Sequence, residues 1–214
     1  SGFNHFGSTQ SVRNAKGQTT LYEFDEWNRL TAVTTPKNER SEYSYSPTGK
    51  LTQIKDPLGN LTTFQYDLMD RLESKTDQLG LVSQFDYDEN GNLTKEIDPN
   101  ANQKLFEYSA VNKLTKKNLP DNTIELTYNP RGEVDSVKNN ESEVQMEYDF
   151  NGRMTSARSF GQGSYAASLP DVQLDYSFDA NGNRTRIDTP FGDYYWTHDA
   201  VNKITFPGTS NGEN

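Results

Sequence analysis

The sequence of 214 residues has no cysteine, so it holds neither a disulfide framework nor a thiolate metal site, and its redox compartment stays open. It also has no apolar run approaching 18 residues, which excludes a membrane-spanning helix. Positive charge is scarce: 21 Lys and Arg stand against 31 Asp and Glu, a formal net charge of −10. Phosphate binding needs a basic face, so nucleic acid is not an expected partner. Hydrophobic residues make up only 31 %. Even with the glycines added, this falls short of the roughly 45–50 % of an ordinary globular domain, too little for a thick aliphatic core. Aromatic residues are not scarce: at 12 % they argue against disorder and must carry much of the apolar surface.

Their placement is periodic. A ring followed by Asp, Asn or Ser recurs at Phe3, Phe24, Tyr45, Tyr66, Tyr87, Tyr108, Tyr128, Tyr148 and Phe178, with an imidazole at His198. The spacings are 21 five times, then 20, 20, 30 and 20. A fixed period of this length defines a repeat architecture. Four residues after each ring stand Gly7, Asn28, Gly49, Asp70, Gly91, Asn112, Gly132, Gly152, Gly182 and Asn202, all types that tolerate a left-handed backbone. Together with the Asp, Asn or Ser this predicts a type I turn closed by a left-handed residue, a common hairpin loop.

Beyond the turn, segments such as Lys50-Leu51-Thr52 and Lys113-Leu114-Thr115 predict an alternating strand with one buried face. Second turns follow, as in Asp56-Pro57-Leu58-Gly59 and Thr189-Pro190-Phe191-Gly192, where proline is expected to end the strand. The return strand then reads large, polar, large, as in Phe85-Asp86-Tyr87, so it too is half buried. These two columns hold 16 of the 25 aromatic residues. Ten hairpin units with a shortened start give at most nineteen strands. Joined edge to edge they form a ribbon about 90 Å long at roughly 4.8 Å per strand, too long to lie flat. The expected fold is therefore all-β: consecutive antiparallel hairpins in a curled or spiral ribbon, residues 1–214 forming a single array truncated at both ends. Ten extra residues between Tyr148 and Phe178 predict an insertion loop at about 159–171.

The columns closely resemble the tyrosine-aspartate (YD) repeat of Rhs proteins, Tc-toxin shell subunits, wall-associated bacterial proteins and teneurins. Tyr87-Asp88-Glu89-Asn90-Gly91-Asn92-Leu93-Thr94 and the Asp56 to Gly59 turn carry the resemblance, which extends from Phe3 to about Phe206. It implies a stretch of hollow β-shell in a longer secreted or cell-surface protein. In Rhs and Tc proteins such a shell encloses a C-terminal toxin; in teneurins and wall-associated proteins a similar barrel serves at the cell surface. The partners so implied are the remainder of the shell and its enclosed cargo. The family's self-cleaving core segment, an Asp-Pro-x-Gly with a glycine pair, has no counterpart: Gly59 is followed by Asn60-Leu61 and Gly192 by Asp193-Tyr194. No catalytic residue is carried over, and the expected role is structural and non-enzymatic, without cofactor.

Other chemistry is weakly written. Asp86 with Asp88, or Asp175 with Asp179, read as a strand face and a turn cap rather than as a catalytic carboxylate pair. Asp88 to Asn92 and Asp179 to Asn183 place glycine fourth, the turn's place, whereas a calcium loop of the EF-hand type needs it sixth. His5 and His198 lie far apart in sequence. Asn60, Asn92, Asn140 and Asn183 begin glycosylation sequons, three of which follow from the repeat's own wording. The rival functional reading is adhesion or sugar binding through exposed rings, with Tyr165, Tyr194, Tyr195 and Trp196 as candidates and cell-surface glycans as partner.

Overall fold

A computed structural model of the protein describes residues 2–3, 5–166 and 170–209. It is all-β, with twenty strands, one short 3-10 helix at Gly163–Tyr165 and no α-helix among the described residues. The chain divides into two compact units, Ser1–Gln103 and Lys104–Asn214.

In the first unit the strands are β1 (Gly2–Phe3), β2 (Thr9–Arg13), β3 (Thr19–Phe24), β4 (Leu30–Thr34), β5 (Arg40–Tyr45), β6 (Leu51–Lys55), β7 (Leu61–Tyr66), β8 (Leu72–Thr76), β9 (Val82–Tyr87) and β10 (Leu93–Ile97). Each pairs antiparallel with the next. The second unit opens with β11 (Gln103–Tyr108) and continues through β12 (Leu114–Asn118), β13 (Thr123–Tyr128), β14 (Val134–Lys138), β15 (Ser142–Tyr148), β16 (Met154–Gly161), β17 (Val172–Phe178), β18 (Arg184–Asp188), β19 (Tyr194–His198) and β20 (Ile204–Thr209). These too pair strictly in sequence order. The strand total is one more than the nineteen expected, because Gly2 and Phe3 pair with Ser11 and Thr9.

The strand after each ring-side turn is not simply alternating. Tyr45 faces Leu51 while Ser44 faces Gln53, so Thr52 is an extra, bulged residue. The same shift recurs in the other ring hairpins, at Thr31, Glu73, Thr94, Thr115, Asp135, Thr155, Thr185 and Thr205. A bulge resets the two-residue period. It brings Leu51 and Ile54, three apart, opposite Tyr45 and Tyr43 on one face. The aliphatic and β-branched residues were thus read as one alternating strand where the structure interrupts it.

The strands before Pro36, Pro57, Pro99, Pro120 and Pro190 end two residues ahead of the proline, and the five-residue second turns also repeat the ring-side geometry. Gly17, Asn38, Gly59, Gly80 and Ala101 all have positive φ, and Asp77-Gln78-Leu79-Gly80 forms its turn without proline. The unit spacing follows from these turns. Where it is 21 they close with a five-residue bond such as Asp56 N–H to Asn60 C=O; where it shortens to 20 they close with four, Leu119 to Asn122 and Asn139 to Ser142. The thirty-residue unit lengthens a hairpin first, since Ser159, Phe160 and Gly161 pair with Val144, Glu143 and Ser142 before the 3-10 turn. Residues 167–169 of the expected insertion lie outside the described residues.

The sheet has two chemically different faces. Tyr22, Phe24 and their equivalents lie on a half-buried face, and no ring of the two columns is fully buried. The opposite face carries ion pairs across strands: Lys55 with Glu42, Lys95 with Asp86, Lys116 with Glu125. Ala32, the one buried hydrophobic residue among those described, lies between Glu23 and Glu42. Arg40 bridges those two acids and so covers Ala32.

Candidate functional site at the hairpin junctions

Each ring-side turn is built by its first residue. Asp67 Oδ1 accepts the N–H of Met69 at 2.8 Å and of Arg71 at 2.9 Å, while Asp70 N–H donates to Asp67 C=O at 3.0 Å. Asp25, Asp88, Asn129, Asp149 and Asp199 do the same. All ten turn-column positions have φ between +59° and +88°, the region that favours glycine, asparagine and aspartate.

Between successive hairpins the ladder is short. Strands β6 and β7 share three paired positions, Gln53 with Thr63 to Lys55 with Leu61, and part before the ring end. There the ring column takes over: Tyr66 Oη donates to Leu51 C=O at 2.8 Å, a carbonyl beyond the ladder. Tyr45, Tyr87 and Tyr128 cap Leu30, Leu72 and Leu114 at 2.8, 3.0 and 2.8 Å. Tyr148 instead turns to Met146 Sδ at 3.7 Å. Burial pushes the Tyr45, Tyr87 and Tyr148 phenols up, which keeps the hydroxyls protonated as donors.

A second contact closes the same gap, and it comes in two forms. In the first, a cation just after the left-handed residue reaches the next hairpin. Arg71 pairs with Asp67 at 2.7 Å, donates to Asp88 C=O at 2.8 Å and lies 4.8 Å from the centre of the Tyr87 ring. Arg29 over Tyr45, Lys113 over Tyr128 and Arg153 over Phe178 repeat this at 4.8, 4.8 and 4.7 Å. At all four, the receiving turn has glycine in its left-handed place: Gly49, Gly91, Gly132 and Gly182. At Gly132 glycine also leaves space, since a Cβ there would oblige the Lys113 ammonium to shift.

In the second form the left-handed residue carries a side-chain acceptor. Ser8 Oγ donates to Asn28 Oδ1 at 2.9 Å, Thr48 Oγ1 to Asp70 Oδ1 at 2.8 Å and Asn183 Nδ2 to Asn202 Oδ1 at 2.9 Å. The two forms alternate along the first unit. The hairpin after Glu133 departs from both: Arg131 pairs with Glu133 at 2.9 Å and donates to Phe150 C=O at 3.0 Å. Sequence reading treated the cations as a strand's polar face. Their pairing with glycine in the following unit is visible in the sequence once units are compared two at a time.

The turn carboxylates are held below their usual range. For Asp67 and Asp149 the chief cause is the backbone N–H of Arg71 and Arg153; for Asp56, Asp88 and Asp179 it is the side-chain amide of Asn60, Asn92 and Asn183. Those amides belong to three of the four sequons, so the sequon asparagines serve the turns. Among the described residues no three His, Asp or Glu side chains gather as a metal site.

The four candidate sugar-binding rings do not come together. Tyr165 lies on the 3-10 turn, and the other three lie in β19. Tyr194 and Tyr195 are exposed, with Arg186 stacked 5.3 Å from the Tyr195 ring centre. Trp196 is half-buried in the packing column, 5.6 Å from Arg184.

These hairpins, closed by capped left-handed turns and stitched by rings, define a YD-type β-shell repeat. The family model described as teneurin YD-shell matches residues 2–121, more than half of the chain, and the chain belongs to that family. Solved structures share the fold. The crystal structure of TcdB2-TccC3-TEV superimposes with a TM-score of 0.73 at 15 % identity, over 94 % of this chain and 12 % of that one. TcdB2-TccC3 without hypervariable C-terminal region gives 0.64 at 17 %, over 97 % and 12 %. The Photorhabdus luminescens Tc holotoxin pore carrying TccC3-D651A gives 0.50 at 17 %, over 90 % and 10 %. The chain thus spans about an eighth of the structures it matches first. No curated protein sequence matches it.

Proposed function

We propose that residues 1–214 act as one continuous repeat array, a non-enzymatic stretch of wall in an extracellular shell that encloses a C-terminal cargo. The observation that carries this reading is the stitching. Within each unit the hairpins are bonded to their sequence neighbours at the ring end by hydroxyl caps, cation seats or turn side chains, an arrangement suited to a continuous wall and not to a cleft. Membership of the YD-shell family supports it, as does a Tc structure described as being without its hypervariable C-terminal region. The wall works sterically: a sealed sheet keeps proteases and bystander proteins from what lies behind it.

The test uses the parent protein, with protease added and the C-terminal segment followed by mass spectrometry. That segment should survive at least tenfold longer than when fused to an unrelated carrier, and the protection should fall in an Arg71→Ala, Arg153→Ala double variant. Equal cleavage rates in parent and carrier would overturn the proposal.

A further inference from the structure

One junction has a ring and a hollow but no cation of its own. Beside Tyr66, between the 46–49 turn and the next hairpin, lies an open hollow of about 490 Å³ whose walls include Thr48, Phe64, Tyr66, Asp67, Asp70 and Glu73. The matching hollow beside Tyr128, about 570 Å³, contains Lys113, whose ammonium stands 4.8 Å from the ring centre and bonds the Gly132 carbonyl. Lys50 occupies the position equivalent to Lys113, yet it does not line the Tyr66 hollow. The receiving turns differ as well: glycine stands at 132 and Asp70 at the equivalent place.

Asp70 is also the one charged residue of the turn column. Asparagine, which stands at 28, 112 and 202, adopts the same φ of about +60°, and at 28 and 202 it offers the same acceptor to the preceding hairpin, so the turn alone does not call for a carboxylate. Asp70 accepts only the Thr48 hydroxyl among the described residues, and neither it nor the exposed Glu73 has an ion-pair partner among them. The hollow therefore offers an aromatic face and two carboxylates without an ion-pair partner among the described residues. Its carboxylates do not gather as a metal site. The other junctions show what fits such a face: in three of four cases a guanidinium at 4.7–4.8 Å.

We propose that the Tyr66 hollow is a docking seat for an arginine side chain of another polypeptide. The guanidinium stacks on Tyr66, as Arg29, Arg71 and Arg153 stack on the rings of the hairpins that follow them, and pairs with Asp70 and Glu73. The chain's net charge of −10 favours the approach of a basic segment.

The experiment is an NMR titration of the intact chain with the capped tripeptide acetyl-Gly-Arg-Gly-amide, beside its neutral isostere with citrulline for arginine. The arginine peptide should cause saturable shifts at Thr48, Tyr66 and Asp70 and bind at least fivefold more tightly than the citrulline peptide. Asp70→Asn, which installs the residue native to three other turns, should preserve the folded spectrum and abolish that preference. Three results would each overturn the proposal: no saturable shift at these residues, equal binding of citrulline, or an unchanged preference in Asp70→Asn.

Discussion

A residue with positive φ exposes its backbone cost most clearly where no neighbour intrudes. A Cβ on Gly91 would meet nothing within 4 Å, so a substitution there is judged by conformation alone. Gly91→Val should cost more than about 1 kcal/mol, read from the urea midpoint, because a β-branched residue fits the left-handed region poorly. An unchanged midpoint would refute the turn's role. The turn carboxylates make a second claim at this scale. Held low in the folded state by Arg71, Asn92 and Arg153, Asp67, Asp88 and Asp149 contribute stability that is present above the unfolded value of about 3.9 and lost as pH falls through their lower folded values. The urea midpoint should stay level from pH 7 to 5 and drop below about pH 4, less steeply in Asp67→Asn. A midpoint that stays level through pH 3 would refute the contribution of these carboxylates.

At the scale of the hairpin, the two junction forms compete most closely at Gly132, where an added Cβ would crowd the Lys113 ammonium. Gly132→Asn should destabilise because its side chain meets the Lys113 ammonium. Adding Lys113→Asn should restore part of the loss, since Asn183 and Asn202 form that pair natively. A double-mutant cycle in urea measures the coupling, and simple additivity would contradict that competition. Much of the hairpin was legible in sequence: ring, polar turn residue and left-handed residue each have a local physical cause. The bulge was not, because Thr52 looks like the next strand residue until its partner is known. The two lengths of second turn hid likewise inside the change of spacing from 21 to 20. The cation seats were missed because each spans two units, and reading a single unit cannot show that Arg71 belongs with Gly91.

At the scale of the whole molecule, strictly sequential pairing within each unit makes stability close to a sum of hairpin and neighbour terms. A defect should therefore stay local. In hydrogen-exchange mass spectrometry, Gly91→Val should speed exchange in β8 to β10 and leave β15 to β18 at wild-type protection. Uniform loss across both regions would show a single cooperative unit instead. The half-buried ring face belongs to the same scale. With one buried hydrophobic residue among those described, stability rests on ladders, caps and stacked cations more than on a core.

From the sequence by itself came the hairpin period, the left-handed turns, the all-β class and the family, because each depends on residues close together in one unit and repeated ten times. Tertiary structure alone decided the bulges, the alternation of junction forms and the unfilled hollow beside Tyr66. Those depend on which atoms of one hairpin meet the next, and neither the partner of a bulged residue such as Thr52 nor the ring covered by a cation such as Arg71 is written within one repeat.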